Sequence, residues 1–281
     1  MTESPPKAPS QAIAFYERHP ISAAQIMARL ETQRGSLDGL SPPDLFDHDQ
    51  DHYGALAAND ALAAATALSE GMQVADFCAG LGGPARYLAH KYRVSVTGIE
   101  LTPARVEGAG ALTRLVGLDD RVRIIEGNVM AVPLPDASVD AVVSQEAFLH
   151  VPDTGQALAE AYRILKPGGR LAFTDWVLHA PMSDADTEIM WQGQATQDLQ
   201  SIASYQALLR QAGFTDIGTD DLTADWGPIL ERRFAMYRAL RTETEQAGTP
   251  SGFDAFYMSY ERLVALMQDH TLGGARFTAT K

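Results

Sequence analysis

A strand-like run followed by a glycine-rich turn is the part of this chain best suited to chemistry. In VADFCAGLGGPARYLAH, residues 74–90, Asp76 lies in the apolar run, and Gly80 and Gly82 belong to the turn. Glycine tolerates positive φ and lets the backbone approach a ligand, and the first turn of the following helix offers free N–H groups. Gly80, Gly82 and Ala85 match the loose pattern G-x-G-x-x-G/A, which predicts a nucleotide-like cofactor.

An acidic residue at a second strand end extends this interpretation. Glu100 closes the segment VSVTGIE, at the distance from Gly80 at which dinucleotide-binding domains place an acid that binds the ribose hydroxyls. The turn and this acid suit NAD and S-adenosylmethionine equally well. These residues alone therefore leave both cofactors open.

A cluster of Asp and His residues in DHDQDHY, residues 47–53, suggests a metal site as one interpretation. Alternate residues would face one side if the segment were extended, but a metal ion needs three or more converging ligands. Acidic loops beside proline residues are usually solvated. We therefore expect a solvent-exposed loop here and no metal site.

The composition limits the classes of function. The 281 residues carry a net charge of −14, which disfavours binding to nucleic acid or to anionic membranes. Cys78 is the single cysteine, so an intrachain disulfide and a cysteine zinc cluster are excluded. No run of about 18 apolar residues and no signal-peptide pattern occurs, so we expect a cytoplasmic protein that acts on small molecules.

Alternating strand and helix patterns supply the elements that must position these residues. Strands are predicted in five short apolar runs, MQVADFC, VSVTGIE, VRIIEGN, VDAVVSQ and GRLAFTDW. Helical spacing lies between them, in ARYLAHKY, TPARVEGAGALTRLVGL and TGQALAEAYRILK. Repeated βα units of this kind predict a parallel sheet with helices on both faces.

Beyond Trp176 the pattern is less regular. HAPMSDADTEIMWQGQATQDLQ is polar and is expected to be irregular, SYQALLRQAGF to be helical and FTDIGTDDL to be a strand. Two long helices are predicted in WGPILERRFAMYRALRTETEQ and FDAFYMSYERLVALMQDH. The terminal ARFTATK is expected to form a final edge strand.

The order of these segments makes the chain resemble the class I S-adenosylmethionine-dependent methyltransferases over about residues 72–178. VADFCAGLGGPARYL resembles the first motif of that family, and VTGIELTPARV its ribose-binding strand end. RVRIIEGNVMAVPLPDASVDAVVSQEAFLHV resembles its adenine-binding and fourth-strand segments, and ILKPGGRLAFTDW its fifth-strand signature. The resemblance implies a Rossmann-like α/β fold with a seven-stranded, mostly parallel sheet and helices on both faces.

A narrower resemblance concerns DHDQDHYG, GLGGPARYLA, SQEAFLHV and LGGARFTATK, which are similar to segments of the sarcosine/dimethylglycine N-methyltransferases. Those enzymes methylate small amines. Sterol and tocopherol C-methyltransferases and phosphoethanolamine N-methyltransferases carry similar first motifs. We expect a flexible tail over residues 1–10, an N-terminal helical cap over 11–53 and a methyltransferase domain over 54–281, with a helical insertion at about 223–270.

The resemblance implies S-adenosylmethionine as the cofactor and S-adenosylhomocysteine as its product. On that basis the cofactor-binding residues are predicted to be Tyr53, Asp76, Ala79, Gly80, Gly82, Glu100, Leu101, Arg105, Asn128, Val129 and Gln145. Two positions depart from the family. Cys78 replaces a common glycine, which the turn tolerates if residue 78 is extended. Asn128 replaces an aspartate, and its amide still offers adenine an acceptor and a donor.

Groups near the transferred methyl are expected just after the fourth strand, where the resemblance places Gln145, Glu146 and His150. An amine must be neutral before it attacks, and we predict His150 first and Glu146 second as the group that accepts its proton. A structural role for His150 in the loop before Pro152 is equally open.

Aromatic and basic residues outside the motifs are candidates for the acceptor site. The phenol of Tyr16 can hydrogen-bond an ammonium group and its ring attracts cations, whereas Trp176 and Trp191 offer large apolar faces. Packing roles for these residues stay open. A substrate carboxylate would need a basic partner, and the sequence does not decide among Arg232, Arg233 and Arg262.

The sequence thus predicts an S-adenosylmethionine-dependent methyltransferase whose favoured acceptor is a small amine such as sarcosine or dimethylglycine. Methylation of an oxygen or carbon of a specialised metabolite is the alternative. Two other classes stay open, namely an NAD-dependent dehydrogenase and a cofactor-binding protein without turnover. No nucleic acid or membrane partner is expected, and formation of a homodimer is left open.

Overall fold

This computed structural model describes residues 10–17, 19, 21–246 and 254–281. Its helices are α1 Ser10–Glu17, α2 Ala23–Arg34, α3 Ala55–Ala65, α4 Gly83–Tyr92, α5 Pro103–Leu115, α6 Thr154–Ile164, α7 Asp184–Gln194, α8 Ile202–Ala212, α9 Thr223–Gln246 and α10 Asp254–Gln268. Its strands are β1 Gln73–Phe77, β2 Ser95–Glu100, β3 Val122–Glu126, β4 Val139–Gln145, β5 Leu165–Leu178, β6 Gln200–Ser201, β7 Thr215–Asp221 and β8 Leu272–Thr280. The predicted tail over 1–10 lies outside the described residues except for Ser10.

Parallel strands form most of the sheet, whose order is β3-β2-β1-β4-β5-β8-β7. β1 pairs in parallel with β2 and β4, and β4 pairs in parallel with β5. Val74, Ala75 and Phe77 of β1 are almost fully buried because apolar clusters pack on both faces of the sheet. The predicted parallel sheet is confirmed. The carboxyl ends of β1, β2 and β4 meet at one edge, where α/β proteins bind their ligands.

Two antiparallel strands complete the sheet beyond β5. β8 pairs antiparallel with both β5 and β7, so the terminal strand is interior and β7 is the edge. The prediction that ARFTATK forms the edge strand was therefore wrong. β7 has the polar sequence TDIGTDD, which suits an edge because exposed charge discourages pairing with another chain. The two-residue β6, which the sequence did not predict, pairs with β5.

The stretch predicted to be irregular, HAPMSDADTEIMWQGQATQDLQ, contains α7. Ser183 accepts a hydrogen bond from the Asp186 backbone N–H and its hydroxyl donates to the Asp186 carboxylate, so it caps the helix. α7 packs against α10, and Gly193 allows the close approach, since a β-carbon there would lie 2.3 Å from the Ala255 carbonyl oxygen. Within the described residues, no helix is long and apolar enough to cross a membrane.

Candidate active site

The turn after β1 has left-handed backbone geometry at three residues. φ is 59° at Cys78, 56° at Gly80 and 76° at Gly82. Glycine adopts such angles without strain, whereas a residue with a β-carbon costs about 1–2 kcal/mol there. The expectation of an extended backbone at Cys78 was therefore wrong. The thiol packs against the core beneath β1, and burial raises its pKa well above the usual range, so it stays protonated.

The loop over residues 47–53, which we call the cap loop, is largely buried, so the expected solvation of DHDQDHY was wrong. Asp49 and His52 are 3% and 5% exposed. Nε and Nη2 of the fully buried Arg86 donate to one Asp49 carboxylate oxygen, at 3.1 and 2.8 Å. Gly83 admits the cap loop, since a β-carbon there would lie 1.9 Å from the Asp49 carbonyl oxygen. A buried counter-charge thus holds the cap loop over the glycine-rich turn.

The carboxyl ends of β1, β2 and β4 open into a cavity of about 1060 Å³, counting its mouth. We call it the cofactor cavity. It is lined by nine of the predicted cofactor residues: Asp76, Ala79, Gly80, Glu100, Leu101, Arg105, Asn128, Val129 and Gln145. Gly82 is not in its wall. A β-carbon at Gly82 would contact the side chains of Arg86 and Ile124, and Gly83 lines the cavity instead. Tyr53 is also outside this wall and lines a neighbouring cavity.

Two charged side chains in the cofactor cavity have polar atoms that the protein leaves unpaired. Oδ2 of Asp76 is buried without a hydrogen-bond partner, and burial, with Glu100 nearby, raises the pKa of Asp76 to about 7. Nε and Nη2 of Arg105 are buried without hydrogen-bond partners, and the guanidinium lies 4.2 Å from the centre of the Tyr16 ring. A ligand with both an ammonium and a carboxylate, such as the methionine part of S-adenosylmethionine, fits these groups.

Backbone groups partly engage the residues predicted to bind ribose and adenine. The N–H groups of Gly80 and Thr102 donate to the two oxygens of Glu100, at 2.9 and 2.8 Å. Oδ1 of Asn128 accepts from the Met130 N–H at 2.9 Å. A carboxylate has about four lone-pair sites and an amide oxygen has two, so both side chains keep acceptor capacity. Their roles toward ribose and adenine stay predictions with which this geometry is compatible.

A second cavity of about 480 Å³ adjoins the first, and aromatic rings form most of its wall. We call it the aromatic cavity. Tyr16, Asp51, Glu146 and His150 line both cavities and so lie at their junction. The rest of the wall comes from the N-terminal segment, the segment after β4, β5 and the helices α7, α9 and α10: Phe15, His19, Tyr53, Leu149, Trp176, Gln194, Arg233, Tyr237, Phe256 and Tyr260.

Trp176 and Trp191 separate in the structure. Trp176 lies in the wall of the aromatic cavity, as the sequence prediction requires. Trp191 is half-buried on α7 and lines neither cavity, because the neighbouring Met190 and Gln194 are the residues that this helix buries. The structure thus brings Trp176, but not Trp191, into the wall of a cavity.

Of the three arginines proposed for a substrate carboxylate, Arg233 is the one that lines the aromatic cavity. Nε and Nη2 of Arg262 instead donate to the carboxylate of Asp186, at 2.5 and 2.9 Å. Arg232 is exposed on α9. Helical geometry explains the choice, since adjacent residues on a helix point about 100° apart.

Glu146 follows β4 with a left-handed backbone, φ 43°, that turns its side chain into the junction. The backbone N–H of Tyr53 donates to Oε2 at 2.7 Å, and the hydroxyl of Thr174 donates to Oε1 at 2.5 Å. Burial raises the pKa of Glu146 to about 7, and these two hydrogen bonds and Arg233 offset part of that rise. Near neutral pH, Glu146 can therefore both accept and release a proton.

His150 is held by hydrogen bonds at both ring nitrogens. Nδ1 lies 3.2 Å from the Ala195 carbonyl oxygen, which can only accept, so Nδ1 carries the proton. Nε2 then accepts from the Tyr16 hydroxyl at 2.9 Å. Burial lowers the pKa of His150 to about 4 and raises that of Tyr16 far above its usual range. At neutral pH His150 is a weak proton acceptor that fixes Tyr16 across the junction.

Sequence reasoning missed Asp51 and Thr174 as site residues. Asp51 lies between three basic side chains, with carboxylate distances of 3.7 Å to His19 and 3.9 Å to both Arg105 and Arg233. Burial alone would raise the pKa of Asp51, but these neighbours outweigh it and lower the pKa. The acidic DHDQDHY run was a signal for Asp51. In the described part of the chain, no three His, Cys, Asp or Glu side chains converge as metal ligands would.

Comparisons with known proteins identify the family of this chain. A family model described as a methyltransferase domain matches residues 75–173. The 27-O-demethylrifamycin SV methyltransferase of Amycolatopsis mediterranei is 32% identical over 225 residues, which cover 79% of this chain and 82% of that relative. The sarcosine/dimethylglycine N-methyltransferase of Halorhodospira halochloris is 33% identical over 150 residues, 53% of this chain and 54% of that relative. The chain belongs to the S-adenosylmethionine-dependent methyltransferases.

Solved structures extend the agreement to the whole fold. The cyclopropane synthase MmaA2 from Mycobacterium tuberculosis superposes with a TM-score of 0.78 at 17% identity and covers 100% of both chains. Phosphoethanolamine N-methyltransferase 2 of Haemonchus contortus, in complex with phosphomonomethylethanolamine and S-adenosylhomocysteine, gives a TM-score of 0.72 at 20% identity. That match covers 96% of this chain and 60% of the other. The predicted class I methyltransferase fold is thereby confirmed, and the family match confirms the predicted enzyme class and cofactor.

Proposed function

We propose that this methyltransferase transfers the methyl group to the nitrogen of a small amine, with sarcosine or dimethylglycine as the favoured acceptors. The proposal rests on Glu146, a buried carboxylate at the junction of the two cavities whose pKa is raised by burial to about 7. A protonated amine must lose a proton before it attacks, and a carboxylate with this pKa accepts one at neutral pH.

Aromatic rings around the junction support a cationic acceptor or product. Tyr16, Tyr53 and Trp176 are in the wall of the aromatic cavity, together with Tyr237 and Phe256. Ring faces attract ammonium groups, and a methylated amine cannot donate many hydrogen bonds, so this wall suits it better than a polar wall would. We expect the nitrogen to lie near these rings.

We assign proton acceptance to Glu146 rather than to His150, our first candidate from the sequence. His150 has both ring nitrogens engaged, and burial lowers its pKa to about 4. Its proposed role is to hold the Tyr16 hydroxyl in place. S-adenosylmethionine supplies a methyl group on a cationic sulfur, and the cofactor cavity is proposed to hold it through Asp76, Glu100 and Arg105. Alignment of donor and acceptor can contribute about 7–11 kcal/mol to such a transfer.

Methylation of a hydroxyl oxygen is the second candidate. It is favoured by the relative that acts on 27-O-demethylrifamycin SV, because the similarity covers 79% of this chain. The aromatic cavity, of about 480 Å³, is small for a macrocycle unless the cap opens. A small hydroxylated acceptor fits it as well as a small amine does.

An acceptor panel with S-adenosylmethionine carrying a deuterated methyl group tests the proposal. Sarcosine, dimethylglycine, glycine, phosphoethanolamine, simple phenols and macrocyclic alcohols would be incubated separately, and the products identified by tandem mass spectrometry. Label on nitrogen of a small amine, with saturation, is the expected result. Label only on oxygen, at comparable enzyme concentration, would replace the amine proposal by the oxygen alternative.

A further inference from the structure

Arg233 brings a positive charge into the aromatic cavity that the protein only partly neutralises. Its Nη2 donates to the His52 carbonyl oxygen at 2.6 Å, and its guanidinium lies 4.9 Å from the centre of the Tyr53 ring. The carboxylate of Asp51 is 3.9 Å away, beyond hydrogen-bond distance. Burial alone would lower the pKa of Arg233, but Asp51 and neighbouring tyrosines raise it, so the guanidinium stays charged.

Arg233 shares a carboxylate with a second arginine. Asp51 is shared between Arg105 and Arg233, at 3.9 Å from each. Burial lowers the pKa values of His19 and His150 to about 4, so both are neutral at pH 7, and Glu146 is only partly ionised. Asp51 therefore serves two guanidinium groups and is beyond hydrogen-bond distance of both, which leaves Arg233 able to take an anionic ligand group as its partner.

Trp176 adds a neutral donor to the same wall. Its Nε1 is buried and has no hydrogen-bond partner, although the side chain is 4% exposed and lines the aromatic cavity. Buried indole N–H groups usually have a partner, so an unpaired one beside a cavity indicates that the partner is a ligand or a bound water. Trp176 and Arg233 both belong to the aromatic cavity and not to the cofactor cavity.

We propose that Arg233 and Trp176 form an oxyanion subsite of the aromatic cavity, which holds a carboxylate or phosphate group of the methyl acceptor. This subsite rests on the proposed function, because it assumes that the aromatic cavity binds the methyl acceptor. Arg233 lies 3.9 Å from Asp51, a junction residue, so the subsite is close to the point of methyl transfer. The acceptor should therefore carry its oxyanion only a few bonds from the nucleophilic atom, as short zwitterions do.

Ligand-observed NMR on the S-adenosylhomocysteine-loaded protein tests the subsite without requiring methyl transfer. The probes are acetate and inorganic phosphate, with acetamide as the uncharged counterpart of acetate. Acetate is followed by proton saturation transfer and phosphate by phosphorus line broadening. Arg233→Met removes the charge, Trp176→Phe removes the indole N–H and keeps a smaller aromatic ring, and Arg232→Met is the matched control on the exposed face of α9.

We expect an oxyanion to bind the wild type more tightly than acetamide does. Charge-assisted hydrogen bonds of this kind are worth about tenfold or more in affinity, so Arg233→Met should weaken oxyanion binding by at least about tenfold. Trp176→Phe should weaken it by about three- to tenfold, and Arg232→Met should leave it unchanged. S-adenosylhomocysteine affinity should stay at the wild-type value in all three variants, which shows that they are folded.

The outcomes separate this proposal from the proposed function. Tighter binding of acetate than of phosphate identifies a carboxylate subsite, and the reverse identifies a phosphate subsite. Oxyanion binding no tighter than that of acetamide, or unchanged in Arg233→Met, overturns the subsite even if amines prove to be methylated. Oxyanion binding that depends on Arg233 supports the subsite even if the acceptor panel places the label on oxygen.

Discussion

The two cavities meet at one junction but are built in different ways. The cofactor cavity is formed mainly by a continuous strand-turn-helix segment and by neighbouring strand ends, with α1 and the cap loop on one side, and Asp76, Glu100 and Arg105 are among its polar groups. The aromatic cavity is formed by side chains from α1, the cap loop, the segment after β4, β5, α7, α9 and α10. A local sequence motif can therefore define the first, whereas only the tertiary fold can define the second.

The difference also appears in the charges. In the cofactor cavity, Asp76 and Arg105 keep unpaired atoms that match a ligand with two charged groups. In the aromatic cavity, Asp51 and Glu146 at the junction and Arg233 beside it carry the charges, and aromatic rings form most of the remaining wall. Under the proposed function, the cofactor is recognised by fixed polar geometry, and the acceptor by the shape of the aromatic cavity and a few side chains. Substitutions that affect one cavity and spare the other test this division.

The largest effect is expected where one interaction supports both cavities. Arg86→Met leaves the Asp49 carboxylate buried without its partner, and a broken buried pair of this kind costs about 3–5 kcal/mol. We expect a free energy of unfolding reduced by that amount, measured by urea titration. We also expect weaker binding of S-adenosylhomocysteine, because the cap loop is released from the glycine-rich turn.

The double variant Asp49→Leu/Arg86→Met is the control. Replacement of both charges by apolar groups of similar size removes the unpaired carboxylate and should recover most of the lost stability. If the double variant is no more stable than Arg86→Met, the loss reflects packing around the cap loop rather than the unpaired charge.

The second largest effect concerns the aromatic side of the junction. Glu146→Gln should lower kcat by about 10²-fold, the usual contribution of a positioned proton acceptor, while S-adenosylhomocysteine affinity stays unchanged. In the wild type, kcat should fall below pH 7, because burial raises the pKa of Glu146 to about 7 and its protonated form cannot accept a proton. Rates measured from about pH 5.5 to about pH 9, with both substrates at saturating concentrations, test this predicted fall of kcat.

Asp76 provides the internal control for that pH profile, since burial also raises its pKa to about 7. Glu146→Gln retains Asp76 and should lose the fall of kcat below pH 7, which we call the acidic limb of the profile. An acidic limb that survives unchanged in Glu146→Gln would assign it to Asp76 or to the acceptor amine, and proton acceptance by Glu146 would be excluded.

The residues predicted to bind the cofactor lie in recognisable motifs at strand ends, and nine of them line one cavity. The glycine pattern and Glu100 identified a turn and a strand end, and the parallel sheet brought them together. The φ angle of Cys78 was missed, because packing against the core, which is a tertiary effect, holds a non-glycine residue in a left-handed conformation. The burial of the cap loop was missed for a similar reason, since the counter-charge on Arg86 lies far along the chain.

The aromatic cavity was only partly predictable. Tyr16 and Trp176 were proposed from residue type, but the same reasoning selected Trp191, which lines neither cavity. The direction in which a helix points each side chain decides whether a tryptophan reaches a cavity. The helix that carries Trp191, α7, was itself not predicted. The capping residues Ser183 and Asp186 were a usable signal for that helix, because a Ser followed three positions later by an acid is typical of a helix start.

A smaller effect is expected on the cofactor side. Glu100→Gln replaces one acceptor oxygen by an NH₂ group that opposes a backbone N–H of Gly80 or Thr102. We expect S-adenosylhomocysteine to bind about tenfold more weakly by calorimetry, because a charged hydrogen bond is lost. Glu126→Gln, at the paired end of β3, is the matched control and should bind like the wild type. Equal weakening in both variants would indicate a general effect of charge rather than a cofactor contact.

The smallest effect is expected from Thr174, which positions Glu146 without reaching the acceptor site itself. Its hydroxyl donates to Oε1 of Glu146 at 2.5 Å, and this hydrogen bond favours the ionised carboxylate and lowers its pKa. Thr174→Val removes the donor and keeps the shape. The acidic limb of kcat should move to higher pH by on the order of one pH unit, with a severalfold loss near pH 7 and almost none near pH 9.

Thr174→Ser retains the hydroxyl and should restore the wild-type profile, although it leaves a small cavity. The other charged groups that act on Glu146, Asp51 in the cap loop, Arg233 on α9 and Asp175 on β5, are unchanged in both variants, so any movement of the limb reports on the hydroxyl. A loss of the same size at every pH, not restored by serine, would mean that Thr174 acts through packing. The carboxylate would then be positioned by the cap loop alone, through the Tyr53 N–H.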